Sequence, residues 1–472
     1  MIARLVLFGA TGDLAGRFLL PALAQLHSAG ILPADFRILG AANSARDTPT
    51  FQRQAAEQLA QYAVDVPAAD RAALVDALRY QQVDVNDTGS VVRSIDAVTD
   101  GADEPVVAYL ALPPAVFEPA VRALSVAGLP AGGRIVLEKP FGDDLDSAIA
   151  LNALLKTVAG AAGEHAIFRV DHVLGLPTVQ NLFVLRFANR VLEPIWNSEH
   201  IEQIDILWEE TLALEGRAGF YDRAGALKDV MQNHMLQVLS LIAMESPASL
   251  DERDLHDRKL AVLQATRPLG YDDVASRTRR ARYTAGKLAD TGGGDGRLVP
   301  DYAQEEGVDP TRETETFAEV MLDIDNARWR GTRFRLRAGK ALSARRKGVV
   351  VRFRSVDRHL FGSATDRAAN ELWIGIDGPN HIIFQVLGRA AGTSARLVPL
   401  TFSAPPVTSQ NSAYGHVLLD ILSGGNTLSV RGDEAEASWK VVTPIMEGWS
   451  AGLVPLQEYR AGSTGPPAIL QH

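Results

Sequence analysis

The sequence predicts two domains, an α/β domain on a doubly wound parallel sheet and an α+β domain with a large, mostly antiparallel sheet. The chain has 472 residues, of which 46% are hydrophobic, and a single core rarely grows past about 250–300 residues. Apolar strands alternate with helical patterns over roughly the first 170 residues, whereas segments with a two-residue period follow from about residue 200. We place the first domain at residues 1–171 and the second at residues 172–472.

The composition excludes several classes of function. A net charge of −10 and a pI near 5.6 argue against nucleic acid or an anionic membrane as a partner. The chain has no cysteine, which excludes disulfides, thiolate metal sites and cysteine nucleophiles. It enters a strand without a basic and apolar leader, and no apolar run reaches the ~18 residues of a membrane span. We expect a cytoplasmic protein that acts on a small molecule and needs no metal.

A phosphate-binding turn follows the first strand, Arg4–Phe8. Its glycines let backbone N–H groups approach a pyrophosphate at the positive end of the next helix, and Thr11 can add a hydroxyl donor. This order of strand, turn and helix predicts a dinucleotide cofactor. The candidate contacts on the turn are Gly9, Thr11, Gly12, Asp13 and Leu14.

The second strand, Phe36–Gly40, ends without an acidic residue that could accept the ribose 2′-hydroxyl of NAD. Ser44 and Arg46 stand there instead and could hold a 2′-phosphate. The sequence therefore favours NADP, with NAD still open. The alternative interpretation of Arg46 is a solvated loop charge.

Two later strands supply further candidates for the cofactor site. Val106–Leu112 ends at Pro113, and Arg134–Leu137 runs into Glu138 and Lys139. The proline after Lys139 can hold a bend, including a cis one, that directs the lysine into the crevice. A plain surface lysine at a turn is the alternative.

A helix over Tyr221–Met244 buries a histidine. Apolar residues recur at three- and four-residue intervals, and His234 falls near the middle of their stripe. Asp229 lies roughly 140° round the helix from it, so the carboxylate that orients the imidazole should come from elsewhere. Asp171, at the end of a short strand, is the best candidate. A core histidine bonded to a backbone carbonyl is the simpler interpretation.

The second domain is predicted from segments that alternate polar and apolar residues after the helical stretch. They are Ile204–Trp208, Thr314–Ile324, Thr332–Arg337, Val349–Arg354, Glu371–Ile376 and Ile382–Val386.

Motifs in a fixed order along nearly the whole chain resemble the glucose-6-phosphate dehydrogenase family. They are Gly9–Ala15, Tyr109–Pro114, Glu138–Gly142, Arg169–His172 with Gly175 and Val179–Leu182, Asp229–His234, Thr314–Phe317, Asp325–Asn326, Gly339–Leu342 and Arg431–Pro444. The resemblance implies a Rossmann domain, a second domain whose large sheet forms a dimer contact, and oxidation of a sugar at C1 to the lactone with hydride passing to NAD(P). A homodimer or homotetramer is expected.

The resemblance also implies roles for single residues. His234 would be the general base on the C1 hydroxyl, and Asp171 its orienting carboxylate. The implied substrate contacts are Lys139, His172, Glu215, Asp229, Lys340 and Arg345.

The chain departs from the family where the family grips the 6-phosphate. The family pattern Asp-His-Tyr-Leu-Gly-Lys-Glu is Asp-His-Val-Leu-Gly-Leu-Pro over 171–177, and a family lysine after the Gly-rich turn is Phe18. Asn43 also replaces a family arginine beside the adenosine ribose. Charge-assisted hydrogen bonds are worth roughly 1.5–3 kcal/mol each, so Val173 and Leu176 together would cost on the order of a hundredfold or more in affinity for the phosphate.

The hypothesis from the sequence is therefore a glucose 1-dehydrogenase within this family. The first alternative is an ordinary glucose-6-phosphate 1-dehydrogenase that makes 6-phosphogluconolactone, with Arg345, Arg346 and His172 sufficient for the phosphate. The sequence also leaves open an NAD(P)-linked oxidoreductase acting on a different cyclic hydroxyl or hemiacetal, and a non-catalytic homologue that senses dinucleotides.

Overall fold

The computed structural model describes residues 1–289, 296–356, 370–377, 381–390, 397–404, 409 and 411–469. The chain divides into two compact units. Unit 1 contains Met1–Leu176, Pro247–Asp257 and Ser409–Glu436, and unit 2 contains Pro177–Ser246, Arg258–Thr408 and Ala437–His472. The predicted boundary after residue 171 lies close to the end of the first segment of unit 1. Two later segments also belong to unit 1, so the units are not two continuous stretches of chain.

Unit 1 is built on a parallel sheet of six strands. They are β1 (Arg4–Phe8), β2 (Arg37–Ala42), β3 (Leu78–Gln82), β4 (Val106–Leu110), β5 (Arg134–Glu138) and β6 (Ile167–Val170). Their order is β3-β2-β1-β4-β5-β6, the doubly wound order that binds dinucleotides where it reverses, beside β1. This confirms the predicted fold class of the first domain.

Helices cover both faces of this sheet. They are α1 (Leu20–Ser28), α2 (Thr48–Tyr62), α3 (Ala68–Ala77), α4 (Thr88–Thr99), α5 (Phe117–Ala127) and α6 (Leu145–Ala159). Alternate residues of β1 point to opposite faces: Leu5 and Leu7 belong to one core with α1, and Val6 and Phe8 to the other with α5.

One described stretch, Leu145–Ala166, has the length and composition of a membrane span, with 22 residues and a mean hydropathy of 1.2. Its continuous α-helix is α6, with 15 residues, which is shorter than the ~20 residues that a bilayer core requires. Gly160 and Gly163 then take φ values of 52° and 58°, which ends the helix. Leu155 and Ala159 pack into the core of unit 1.

Unit 2 is built on a mixed sheet of nine strands and a separate pair. The strands are β7 (Ile201–Glu209), β8 (Thr278–Thr284), β9 (Gly286–Leu288), β10 (Arg297–Val299), β11 (Phe317–Leu322), β12 (Arg333–Gly339), β13 (Arg346–Phe353), β14 (Glu371–Gly375), β15 (Ile382–Arg389), β16 (Leu397–Ala404) and β17 (Leu456–Arg460). The large sheet has the order β16-β15-β14-β13-β7-β12-β11-β8-β17, and β9 pairs with β10. Neighbours are antiparallel except β7 with β12 and β8 with β17, which confirms the predicted class.

The remaining helices are α7 (Pro177–Phe187), α8 (Ala218–Ala226), α9 (Leu236–Ala243), α10 (Glu252–Ala265), α11 (Tyr271–Arg277), α12 (Ala413–Ser423) and α13 (Gly432–Ser450). Of these, α12 belongs to unit 1 although it comes late in the chain. Its residues Val417, Leu418 and Ile421 lie in the same core as Leu20 and Leu23 of α1. This packing explains why a split at residue 171 leaves unit 1 incomplete.

Candidate functional site

The turn after β1 in unit 1 has the shape of a phosphate site. Gly9 has a φ of 82°, and a Cβ there would lie 2.1 Å from the carbonyl oxygen of Ala111, so only glycine fits. The N–H of Gly12 donates to the carbonyl of Gly9 over 2.9 Å, which tightens the turn before the helix that starts at Asp13. The first N–H groups of a helix lack acceptors within it and attract anions. The turn therefore fits a dinucleotide pyrophosphate.

The residues of this turn differ in their exposure and in their contacts. Thr11 is half-buried and its carbonyl accepts a hydrogen bond of 3.4 Å from Gln54. The exposed carboxylate of Asp13 pairs with Arg17 at 3.2 Å. Leu14 packs against the core of unit 1. Because a carboxylate would repel a pyrophosphate, we expect Asp13 to contact the cofactor through its backbone.

The loop after β2 lies at the same edge, since β1 and β2 are parallel neighbours. The Ser44 hydroxyl lies 3.0 Å from that of Tyr80, and the exposed Arg46 donates to Gln54. Gln54 thus bridges Arg46 and the carbonyl of Thr11. The structure brings the Gly-rich turn and the predicted 2′-phosphate contacts together.

The end of β5 carries Glu138 and Lys139 at this carboxyl edge. The Lys139–Pro140 peptide is cis, and Lys139 is half-buried. The hydroxyl of Tyr109, on β4, donates to Glu138 Oε1 over 2.5 Å. Burial raises the pKa of Glu138 to about 7, although Tyr109 and Lys139 act to lower it. Pro113, which follows β4, is exposed at the same edge.

Asp171 and His172 follow β6, the next strand of the sheet. Asp171 is fully buried, and its Oδ1 accepts the backbone N–H of Val173 over 3.1 Å. The ring of His172 stacks on Tyr414 of α12, with centroids 5.6 Å apart. Unit 1 therefore gathers Lys139, Asp171 and His172 at the carboxyl ends of β5 and β6.

In unit 2, His234 lies on the segment Leu227–Met235, which is wound as a π-helix. The imidazole is 4% exposed and stacks on Trp208 of β7 with centroids 5.5 Å apart. Its predicted burial is thus observed. In a π-helix the N–H of each residue bonds to the carbonyl five residues earlier. Asp229 and His234 therefore lie one above the other on the same side of the helix. The prediction that Asp229 lies far round the helix from His234 assumed an α-helix and is wrong here.

The start of this π-helix is fixed by a buried carboxylate. Glu315 accepts the N–H of Leu227 over 3.0 Å, and Gly225, with a φ of 64° and ψ of 179°, interrupts the preceding helix. Burial raises the pKa of Glu315 to about 7. The family motif around residue 315 thus acts on the segment that carries His234.

Lys340 lies at the end of β12 in a cluster of charges. Its ammonium donates to Glu210 over 2.6 Å and lies 5.0 Å from the ring centroid of Tyr221. Lys347 reaches the other oxygen of Glu210 at 2.9 Å. Burial would raise the pKa of Glu210, yet Lys340 and Lys347 lower it to about 2. Glu210 is therefore ionised at all ordinary pH values.

The remaining predicted sugar contacts are paired at the surface of unit 2. Arg345 is about half exposed, with 49% of its side chain accessible, and pairs with Asp377 at 2.6 Å. Glu215 has a φ of 53° and pairs with Arg297. Each ion pair uses only part of the hydrogen-bonding capacity of its side chain.

Sequence reasoning missed the partners of these residues. Glu138 and Glu210 were not singled out, nor were Tyr109, Tyr414 and Lys347. The signal was present for Glu138, which is an acidic residue that closes the apolar strand β5. Nothing local in the sequence pairs Tyr414 with residues more than two hundred positions earlier.

Both halves of the chain match models of one family. The model described as "Glucose-6-phosphate dehydrogenase, NAD binding domain" matches residues 6–181, and "Glucose-6-phosphate dehydrogenase, C-terminal domain" matches residues 183–472. The glucose-6-phosphate 1-dehydrogenase of Treponema pallidum (strain Nichols) is 39% identical over 98% of this chain and 92% of its own length. That of Rhizobium meliloti (strain 1021) is 38% identical over 98% and 94%.

Solved structures of glucose-6-phosphate dehydrogenases are also similar to this chain. Glucose-6-phosphate 1-dehydrogenase from Mycobacterium avium has a TM-score of 0.84 and 32% identity, covering 98% of this chain and 94% of its own. A glucose-6-phosphate dehydrogenase in complex with its substrate glucose-6-phosphate has a TM-score of 0.85 and 30% identity, covering 98% and 95%.

The doubly wound sheet with its phosphate turn, joined to a large mixed sheet, defines an NAD(P)-dependent dehydrogenase. Within that class, the two family matches show that the chain belongs to the glucose-6-phosphate dehydrogenase family. The predicted family and the NADP cofactor are confirmed at that level, and the alternative of a non-catalytic homologue is set aside. The relatives favour the ordinary activity over the glucose 1-dehydrogenase hypothesis.

Proposed function

We propose that the protein oxidises the C1 hydroxyl of glucose 6-phosphate to the lactone with NADP as hydride acceptor. The observation that supports this is similarity over 98% of the chain to relatives named glucose-6-phosphate 1-dehydrogenase. The site residues agree with it, since unit 2 offers a buried imidazole and unit 1 a phosphate turn. The hypothesis of glucose as main substrate becomes the second candidate.

His234 has the chemistry of the base in this reaction. The C1–H bond breaks with its electron pair leaving as hydride, the C1–O bond becomes a carbonyl, and the hydroxyl proton passes to the imidazole. NADP, when bound, supplies the hydride acceptor. The base must be neutral to accept a proton, and we propose that the Asp171 carboxylate stabilises the imidazolium that forms. The stack on Trp208 restricts the orientation of the ring.

In this proposal the sugar is held by the contacts that the resemblance to the family implies. Lys139, Glu215, Asp229 and Lys340 address the ring hydroxyls. Lys340 is held rigidly by Glu210 at 2.6 Å, so it offers its remaining N–H donors in a fixed place. His172 and Arg345 remain as candidates for the phosphate.

The second candidate, unphosphorylated glucose, rests on the side chains at the family's phosphate positions. Val173 has no exposed surface and Leu176 is half-buried. Phe18 is 43% exposed and packs on Tyr414 with centroids 5.5 Å apart. None of these three side chains can donate to a phosphate.

Steady-state kcat/KM values for glucose and glucose 6-phosphate, each with NAD and NADP, test the proposal. We expect the phosphate ester with NADP to be preferred. A preference of about a thousandfold would mark an ordinary family member. Equal or higher kcat/KM for glucose would replace the proposal by the second candidate, and no turnover of either sugar would refute both.

We also propose that the protein assembles as a homodimer or homotetramer in the cytoplasm. The dimer contact implied for the family's large-sheet domain supports the assembly. The net charge of −10 and the absence of cysteine support the location. Light scattering at several concentrations would measure the assembly, and a monomer at micromolar concentration would contradict it. Fractionation of cells would test the location.

A further inference from the structure

A buried carboxyl group in unit 1 is not used by the reaction described above. Glu138 is the last residue of β5 and is 7% exposed. Tyr109 on β4 donates to its Oε1 over 2.5 Å, and the hydroxyl of Tyr414 on α12 also bonds to it. Both tyrosines are themselves buried. Two other elements of the fold, β4 and α12, thus contact one carboxyl group of β5.

The charged groups around Glu138 are candidates for the reaction. Lys139 is the next residue, and Asp171 follows the neighbouring strand β6, where Val170 pairs with Glu138. Lys139 favours the charged form of Glu138 and Asp171 opposes it. The two tyrosines stay protonated because burial raises their pKa values. The pKa of Glu138, at about 7, means that its charge changes near neutral pH.

We propose that Glu138 is a positioning residue of the reaction, whose charge, held by Tyr109 and Tyr414, controls Asp171 and Lys139 at the carboxyl ends of β5 and β6. This rests on the proposed function, in which Asp171 assists the base and Lys139 contacts cofactor and sugar. The ionised carboxylate is a like charge for Asp171 and an opposite charge for Lys139. Protonation of Glu138 therefore weakens the hold of Asp171 on a proton and leaves Lys139 more positive toward an anionic ligand.

The hydrogen bonds to Glu138 predict in which direction the pH of its ionisation shifts when a donor is lost. Burial is the largest influence on Glu138 and raises its pKa to about 7, and the hydroxyl of Tyr109 lowers it. Glu138 therefore ionises as pH rises through neutrality, and loss of the Tyr109 donor would move that ionisation to higher pH. A carboxyl group that served only to close the sheet would have no such effect on kinetics.

The test compares pH profiles of Glu138→Gln with wild type. The amide keeps an acceptor for the tyrosines but carries no charge. We expect kcat/KM of wild type to show an inflection near pH 7, where Glu138 ionises beside Asp171 and Lys139, and Glu138→Gln to lack that inflection. NADP affinity of wild type should weaken severalfold from pH 6 to 8 as Glu138 ionises, and Glu138→Gln should abolish that change. Glu118→Gln, at an exposed pair with Arg122, controls for net charge.

A second variant keeps the inference falsifiable if Glu138→Gln does not fold. Tyr109→Phe should move the neutral inflection of both profiles to higher pH, and should add nothing in a Glu138→Gln background. The inference would be overturned if the pH profiles of Glu138→Gln and Tyr109→Phe matched those of wild type and Glu118→Gln. If wild type turns over neither sugar, the proposed function fails separately, and the pH dependence of NADP binding still decides the role of Glu138.

Discussion

Two carboxylates at corresponding places in the two units behave in opposite ways. Glu138 closes β5 in unit 1 and Glu210 follows β7 in unit 2, and both are largely buried. Burial pushes the pKa of each upward. Glu138 reaches about 7, whereas Lys340 and Lys347 bring Glu210 to about 2. Two ammonium groups in direct contact outweigh burial, and two neutral hydroxyls with one flanking lysine do not.

The difference separates two kinds of site chemistry. Glu210 stays ionised over the working pH range, which suits the binding of a polar substrate in one orientation. The charge of Glu138 changes near neutrality, which suits control of a proton transfer. Partners rather than depth of burial therefore decide what a buried carboxylate can do.

The largest effect is expected when the proposed base is removed. His234→Asn should lower kcat by about 10²–10⁴, the usual contribution of a general base, and leave the dissociation constant of NADP unchanged. His200→Asn, at the exposed His200 of the same unit, is the matched control. More than about a tenth of wild-type turnover would show that His234 is not the base.

The next test breaks the fixed charge cluster of unit 2. Lys340→Met removes a charge-assisted contact to the sugar worth roughly 1.5–3 kcal/mol, so KM should rise about 10–150-fold. Lys347→Met frees Glu210 in the same way, but Lys347 is not a predicted sugar contact. Equal KM values for the two variants would mean that Lys340 acts through Glu210 alone.

A third test adds a fixed cation to unit 1. Leu176→Lys should lower KM for glucose 6-phosphate by about tenfold and leave KM for glucose unchanged. Tyrosine at position 173 is a poorer choice, because Val173 is fully buried and a larger side chain would overpack the core. Parallel changes for both sugars would show that position 176 does not face the phosphate.

The smallest effect is on stability, and its sign differs between the two carboxylates. Glu138 binds its proton more tightly when folded, so its contribution to the free energy of unfolding falls as pH rises from about 4.3 to 7. Glu210 contributes above about 4.3, and that contribution is lost as pH falls toward 2. Each slope is at most about 1.4 kcal/mol per pH unit.

Denaturant unfolding of Glu138→Gln and Glu210→Gln against wild type would measure both slopes. The free energy of unfolding of Glu138→Gln should rise relative to that of wild type between pH 5 and 7. Over the same range, the difference between Glu210→Gln and wild type should stay constant. If the free energy of unfolding of each variant differed from that of wild type by the same amount at every pH, the two carboxylates would not differ in this way.

The sequence was sufficient for features with a local signal. The Gly-rich turn, the strands that frame it and the burial of His234 all follow from residue type and period. Strand β3 was missed because it lies at the sheet edge, where Arg79 is exposed, and its sequence has no apolar run. The π winding of Leu227–Met235 was missed, and its first N–H bonds to Glu315, almost ninety residues later, which no local pattern indicates.

The return of α12 to unit 1 has a consequence for synthesis of the chain. The face of α1 that contains Leu20 and Leu23 packs with Val417 and Ile421, which leave the ribosome more than two hundred residues after the first segment ends at Leu176. At 5–20 residues per second, unit 1 waits roughly 10–50 seconds for its last layer. We expect ribosome-bound chains ending near residue 400 to be cut by protease within unit 1, and chains extended well past residue 436 to be protected.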